Sequence, residues 1–304
     1  MVSSGIGEET YCPRNVIEGR EESATLMDAL SEMDGIIFDT LDKLFAKTGV
    51  SPSEIDIIVA SVSLFSPAPS LTARVINRYK MRKDIKAFNL SGMGCSAKDD
   101  DLGNKGFGLT RDPPRAGAKA LTMNLRVLLP KVLPPSEMLR YKISYYRTKI
   151  TKRSTPKGIA GPGLNLKSGI DHFRVHPGGR AIIDEVGKSL ALNDHDLEPA
   201  RMALYRFANT SSGGLWYVLG YMEAKKMLKK GETILMISLG AGFKCNNCVW
   251  KVMKDSEDKN VWKDCIDHYP PNTLANPFSK KFDWINDESM RFARREDYVP
   301  KICI

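Results

Sequence analysis

Ile85-Lys-Ala-Phe-Asn-Leu-Ser-Gly-Met-Gly-Cys-Ser-Ala97 is the stretch on which the fold turns. Ile85 to Leu90 reads as a short strand. It ends on Ser91-Gly92-Met93-Gly94-Cys95, where the glycines permit a sharp turn. Upstream, Glu21 to Lys47 carries a helical period through Leu26, Leu30, Met33, Ile37, Leu41, Leu44 and Phe45, closed by Gly49. Ser51-Pro52-Ser53-Glu54 makes a turn, Ile55 to Val62 a second apolar strand, and Ser70 to Met81 a second helix. Strands alternating with helices predict crossover units and a largely parallel sheet, an α/β fold.

From Lys98 the texture changes. A charged turn, Lys98 to Asp101, leads to Asp112-Pro-Pro-Arg115 and a helical pattern from Ala116 to Leu129, which Pro130, Pro134 and Pro135 are expected to stop. Arg140 to Lys157 is basic, with Tyr141, Tyr145 and Tyr146 interleaved, and Gly158 to Gly163 reads as a mobile connector. Dense α/β texture returns from Asp171 to Lys254. Helices are expected over Gly179–Leu192 and Gly213–Lys230, with strands over Thr233–Leu239 and Cys248–Met253. Beyond Asp255 few periodic runs remain, so that tail is expected to wrap the surface or fray.

The chain has 304 residues, 42% hydrophobic and 27% charged, enough to bury a core and too apolar for wholesale disorder. A net charge of +9 favours anionic partners such as phosphorylated cofactors or anionic lipid. Zinc-finger, helix-turn-helix and RNP-like motifs do not accompany the basic run, so nucleic acid is not an expected partner. Six cysteines without tight pairing argue for a reducing compartment. No run approaches the length of a membrane span, and residues 1–10 do not read as a signal peptide.

Four clusters could carry chemistry. A helix following Cys95 would lower its thiol pKa and make it a nucleophile; a buried structural cysteine is the alternative. In Asp171-His172-Phe-Arg-Val-His176-Pro-Gly-Gly179 the histidines would share a face only on a helix, and Pro177-Gly178-Gly179 makes this a strand-to-turn junction instead. A neutral histidine at such a loop end can donate to a developing oxyanion. Asn209 in Arg206-Phe-Ala-Asn-Thr-Ser-Ser-Gly-Gly214 reads as a turn residue, and Ser211 or Ser212 as a helix cap. Gly240-Ala-Gly-Phe-Lys-Cys-Asn246 is only superficially a phosphate loop, because no helix begins there. Cys245 and Cys248 have zinc or redox spacing without a second pair. His195 and His268 read as surface residues.

Taken in order, these motifs resemble the plant 3-ketoacyl-CoA synthases, the condensing enzymes of very-long-chain fatty acid elongation. The resemblance rests also on Gly5-Ile-Gly-Glu-Glu-Thr-Tyr11, Ser63-Leu-Phe-Ser-Pro-Ala-Pro-Ser70, Phe88 to Ala97, Gly178-Gly-Arg-Ala-Ile-Ile-Asp184 and Gly240 to Trp250. It implies a thiolase-like layered αβαβα sandwich of two related halves, the first half incomplete. The expected divisions are 1–97 for the first half, 98–167 for a connecting segment, 168–275 for the second half and 276–304 for a tail.

By resemblance, Cys95 accepts the acyl group, and His176 and Asn209 bind the malonyl thioester oxygen. Gly242 and Phe243 belong to the oxyanion loop, and His172 and Tyr205 are supporting residues. Acyl-CoA and malonyl-CoA are then substrates, and no cofactor or metal is implied. The resemblance also implies a homodimer, reductase and dehydratase partners, and a membrane surface at the cytosolic face of the endoplasmic reticulum. A chalcone-synthase-like polyketide synthase and a non-catalytic dimerisation partner are the alternatives.

Three departures stand out. The family's usual N-terminal membrane anchor is not among these residues, and Tyr205 stands where the family commonly has another histidine. Ala97 runs directly into Lys98-Asp-Asp-Asp101, where the family continues with the nucleophile helix and further strands. Without that helix Cys95 loses the dipole that would activate it, so weakened activity is expected.

Overall fold

A computed structural model describes residues 4–7, 10, 14–20, 23, 25–62, 65, 67–91, 98–99, 105–106, 113–150, 164–240 and 244–274. The glycine elbow bearing Cys95, the Gly158–Gly163 connector, Gly242, Phe243 and the tail beyond 274 lie outside the described residues.

After a single helical turn, α1 (Arg14–Ile17), the first half opens with α2 (Leu26–Thr48). Thr25 and Asp28 cap it reciprocally: Asp28 N donates to Thr25 Oγ1 at 3.1 Å, and Thr25 N donates to Asp28 Oδ2 at 2.9 Å. Gly49, at φ 70°, closes it in the left-handed conformation. Strands β1 (Ile57–Val62) and β2 (Lys86–Ser91) pair in parallel, with Val59 opposite Phe88. Their crossover α3 (Leu71–Tyr79) buries Leu71 and Val75 against them, and Arg74 ties α3 to Asp34 of α2.

A parallel sheet ordinarily has both faces covered, yet one face of this pair is open. Ile57, Val59, Phe88 and Leu90 are 39–57% exposed, and no residue of α2 is fully buried. Strands β3 (Lys98–Asp99) and β4 (Lys105–Gly106) follow as a two-residue antiparallel ladder.

Two helices fill the segment expected as a connector, α4 (Pro113–Val132) and α5 (Pro135–Ile150). Pro130 does not stop α4. It lies in the last turn, where little of the hydrogen-bond ladder remains to lose, and buried Leu129 and Leu133 hold the chain in register through a 2.9 Å backbone bond. Leu121, Leu125, Leu129 and Leu133 form one buried row, through which α4 joins the core of the second half.

That half is built on β5 (His172–Val175), β6 (Thr233–Gly240) and β7 (Lys244–Lys251), in the order β5-β6-β7. The β5–β6 pair is parallel and β6–β7 antiparallel. Phe173, Val175, Leu235 and Ile237 bury one face, and α4 packs on β7 and on α6 (Arg180–Leu190).

Helix α7 (Asp194–Phe207), absent from the sequence expectation, is capped by Asn193 and Asp196 in a reciprocal box, and α8 (Gly214–Ala224) packs on it and on β5. The stretch after Asp255 does not fray within the described residues. Trp262 is wholly buried among Phe207, Tyr221 and Tyr269, and its indole N–H donates to the Tyr217 carbonyl at 3.0 Å.

Candidate active site

Strand β5 delivers His176 to the mouth of the second half. Its backbone N–H continues the ladder to Ile237 O at 2.9 Å, and its carbonyl accepts from Gly178 N at 2.8 Å, which turns the chain sharply. His176 as a whole is 3% exposed. Burial lowers its pKa to about 4, so the ring is neutral at physiological pH. Gly178 lies directly against the Nε2 edge: a Cβ there would stand 2.9 Å from Cδ2 and 3.1 Å from Nε2 of His176.

Asn209 reaches the same turn from the far end of α7. Ala208, at φ 57°, ends that helix. The Asn209 side chain is then held at both ends: Oδ1 accepts from Ser211 N at 2.9 Å, and Nδ2 donates to Gly178 O at 3.2 Å. One N–H and one carbonyl as partners fix which way the amide points. Gly214, at the start of α8, presses on Pro177, where a Cβ would meet the ring at 2.7 Å. His-Pro-Gly-Gly and Asn-Thr-Ser-Ser-Gly-Gly are thus two sides of one packed junction. Gly214 is required where it meets Pro177 of the other segment, and Gly178 where it meets His176 of its own.

Tyr205 fastens the N-terminal segment to this junction. Its carbonyl accepts from Gly7 N at 2.8 Å and from Thr10 Oγ1 at 2.9 Å. Its ring covers Gly7, where a Cβ would lie 2.6 Å away, and Arg180 N donates to Ser4 O at 3.3 Å. His172 stands apart. Four residues along an extended strand separate it from His176 by ~13 Å, and it pairs with Glu232 at 2.9 Å.

Arg174 escaped the sequence reading. It is fully buried on β5, between Trp216 (4.9 Å) and Trp250 (5.0 Å), and its Nε donates to Leu215 O at 2.7 Å. Desolvation lowers its pKa to about 10. Arg174 positions the start of α8, which presses on Pro177. Only the tryptophans at 216 and 250 hinted at a buried cation, and their pairing needs the fold.

Cys245 and Cys248 sit three residues apart on β7. Alternation sends them to opposite faces of the strand, so the pair cannot close on one metal. No group of three or more metal-ligating side chains exists among the described residues. The arrangement holds a neutral imidazole and an oriented amide at one turn, a geometry suited to hydrogen-bonding a developing oxyanion.

The fold has a solved counterpart in the crystal structure of PKS-I from the brown alga Ectocarpus siliculosus. It superposes with a TM-score of 0.55 at 13% identity, covering 82% of this chain and 87% of that one. Residues 165–253 match the chalcone and stilbene synthase C-terminal domain. The chain therefore has the thiolase-like fold of condensing enzymes.

Its sequence narrows the class. Residues 1–99 and 97–150 match the family of FAE1/type III polyketide synthase-like proteins. The chain is 50% identical to 3-ketoacyl-CoA synthase 19 of Arabidopsis thaliana, over 97% of its own length and 83% of the relative's. It is 41% and 40% identical to 3-ketoacyl-CoA synthases 3 and 12 of that plant, over 95% of this chain and 82% of each relative. The chain belongs to the 3-ketoacyl-CoA synthase family.

The alignment with 3-ketoacyl-CoA synthase 19 spans 387 positions, whereas the chain has 304 residues, so more than eighty of the relative's positions have no counterpart here. The family match breaks into two pieces that meet at residues 97–99, directly after Cys95. The open face of the β1–β2 pair lies in the half so interrupted.

Proposed function

We propose that the chain carries the condensing site of very-long-chain fatty acid elongation, in a form weakened by the internal gap. The observation that carries this reading is the common anchoring of His176 and Asn209 on Gly178 in a member of the 3-ketoacyl-CoA synthase family. In the reaction, the Cys95 thiolate attacks the thioester carbonyl of a long-chain acyl-CoA. Coenzyme A leaves, and the acyl group remains on sulfur.

Malonyl-CoA then loses carbon dioxide, and the electron pair of the broken bond passes to the α-carbon and the thioester oxygen. His176 and Asn209 stabilise that enolate by hydrogen bonds, for which a neutral imidazole is the right donor. The α-carbon attacks the acyl thioester, Cys95 leaves as thiolate, and the product is a 3-ketoacyl-CoA two carbons longer. The loop containing Gly242 and Phe243 serves the acyl oxyanion. The condensation draws on no cofactor beyond its CoA substrates.

The same reading includes a homodimer, reductase and dehydratase partners that process the product, and a place at the cytosolic face of the endoplasmic reticulum. No helix among the described residues is long and apolar enough to cross a membrane. The test separates the two half-reactions. Cys95→Ala should take up no acyl label from acyl-CoA by intact mass, whereas His176→Ala and Asn209→Ala should acylate. Loss of an oxyanion donor should lower malonyl-CoA decarboxylation by ~10²–10³. Equal acylation of Cys95→Ala, or normal decarboxylation by the other two, would overturn the assignment.

A further inference from the structure

Helix α5 has two faces, and the outward one is the less usual. Its inner face is fixed to the body: Met138 packs on the core. Buried Glu137 accepts from Arg140 (2.8 and 2.5 Å) and from Asn165 N at 2.7 Å. At ~100° per residue, Leu139, Ile143, Tyr146 and Ile150 fall within about 60° of one another on the other side. They are 59%, 46%, 60% and 79% exposed. The solvent face of this helix is thus an apolar row ~16 Å long.

Charge frames the row. Arg147 follows one flank and Lys142 the other, both on the exposed surface, while Arg140 on the Arg147 side is engaged by Glu137. The only acid of the helix, Glu137, is turned inward. A core-facing helix carries its apolar stripe inward; here the stripe faces water and basic residues border it on both sides. A protein partner would gain little from cations on both borders, and a nucleic acid would gain little from an apolar centre. A bilayer satisfies both, since acyl chains take the apolar row and anionic headgroups take the flanking cations.

We infer that α5 is an interfacial helix that lays Leu139, Ile143, Tyr146 and Ile150 into an anionic phospholipid bilayer. Tyr146 suits the headgroup boundary, with its ring in the apolar layer and its hydroxyl in the wet one. The contact is independent of the condensing reaction, and its test reads binding alone.

The experiment is flotation of the full chain with vesicles of phosphatidylcholine, with or without a third of phosphatidylserine, at physiological salt. The parent should float with the anionic vesicles and several-fold less with the neutral ones. Ile143→Ser/Tyr146→Ser/Ile150→Ser should lose ~10-fold or more of the binding, and so should Lys142→Gln/Arg147→Gln. All these side chains are exposed, and the charge variant leaves the apolar row intact should the serine variant misfold. Failure of the parent to float, or flotation undiminished in the charge variant, would overturn the inference; the latter would point to the open β1–β2 face. Equally contrary would be binding to single-stranded RNA without vesicle binding, or a dimer in solution that the serine substitutions abolish.

Discussion

The side-chain amide of Asn209 donates to the carbonyl of Gly178 at 3.2 Å, and Gly178 in turn lies on the Nε2 edge of His176. Two side chains thirty-three residues apart are thereby set by one backbone unit. The prediction is that Gly178→Ala damages the site without touching either side chain chemically. Its Cβ would enter to 2.9 Å from a ring that is buried and has little room to yield. Overpacking of this kind costs ~1–3 kcal/mol, and the displaced ring should lower malonyl-CoA decarboxylation by ~10²-fold. Melting curves and a decarboxylation assay on the same preparation check both. An unchanged decarboxylation rate would detach Gly178 from the catalytic geometry.

Burial of His176 has a signature in pH. Its pKa falls from 6.5 to about 4 on folding, so between those values the unfolded chain binds a proton that the folded chain does not. Stability is therefore flat above pH 6.5 and declines as pH falls towards 4, by roughly 3 kcal/mol in all. His176→Gln should remove that slope. Glu232 and other paired carboxylates with lowered pKa lose their contribution at more acidic pH, so the difference between parent and variant isolates the histidine. Urea midpoints measured across this range read it directly.

The open face of the β1–β2 pair predicts dye binding. Val59 and Phe88 are cross-strand neighbours with more than a third of their surface in water. Val59→Lys/Phe88→Glu should cost only ~1 kcal/mol per position, because about half of each side chain is already in water. It should also reduce binding of a hydrophobic dye and slow aggregation. Dye binding equal to the parent's would mean that this face is covered in solution.

How much of this was legible follows from the range of the interactions. The helices and strands of residues 26–91 announce themselves locally, through Thr25 and Gly49 as caps and through apolar runs at β1 and β2. Helix α7 is harder to see because Pro199 and an acidic start mask its Leu197–Ala200–Ala203–Leu204 stripe, although Asn193 and Asp196 spell a capping box. In α5 the conspicuous basic composition hid an eleven-residue apolar period. The anchoring of Asn209 on Gly178 and the caging of Arg174 by Trp216 and Trp250 are long-range contacts, with no local trace. Cys245 and Cys248 looked like a pair only until β7 set them on opposite faces.

In the proposed reaction Cys95 acts beside the break at residues 97–99, where the family match divides. A helix N-terminus favours the thiolate, so a chain without that segment should carry a weaker nucleophile. The decisive measurement is malonyl-CoA-dependent elongation of a long-chain acyl-CoA, comparing this chain with one carrying the corresponding segment of 3-ketoacyl-CoA synthase 19 inserted between Ala97 and Lys98. The restored chain should yield 3-ketoacyl product, and the chain as it stands at least ~10²-fold less. Equal product from both would contradict it.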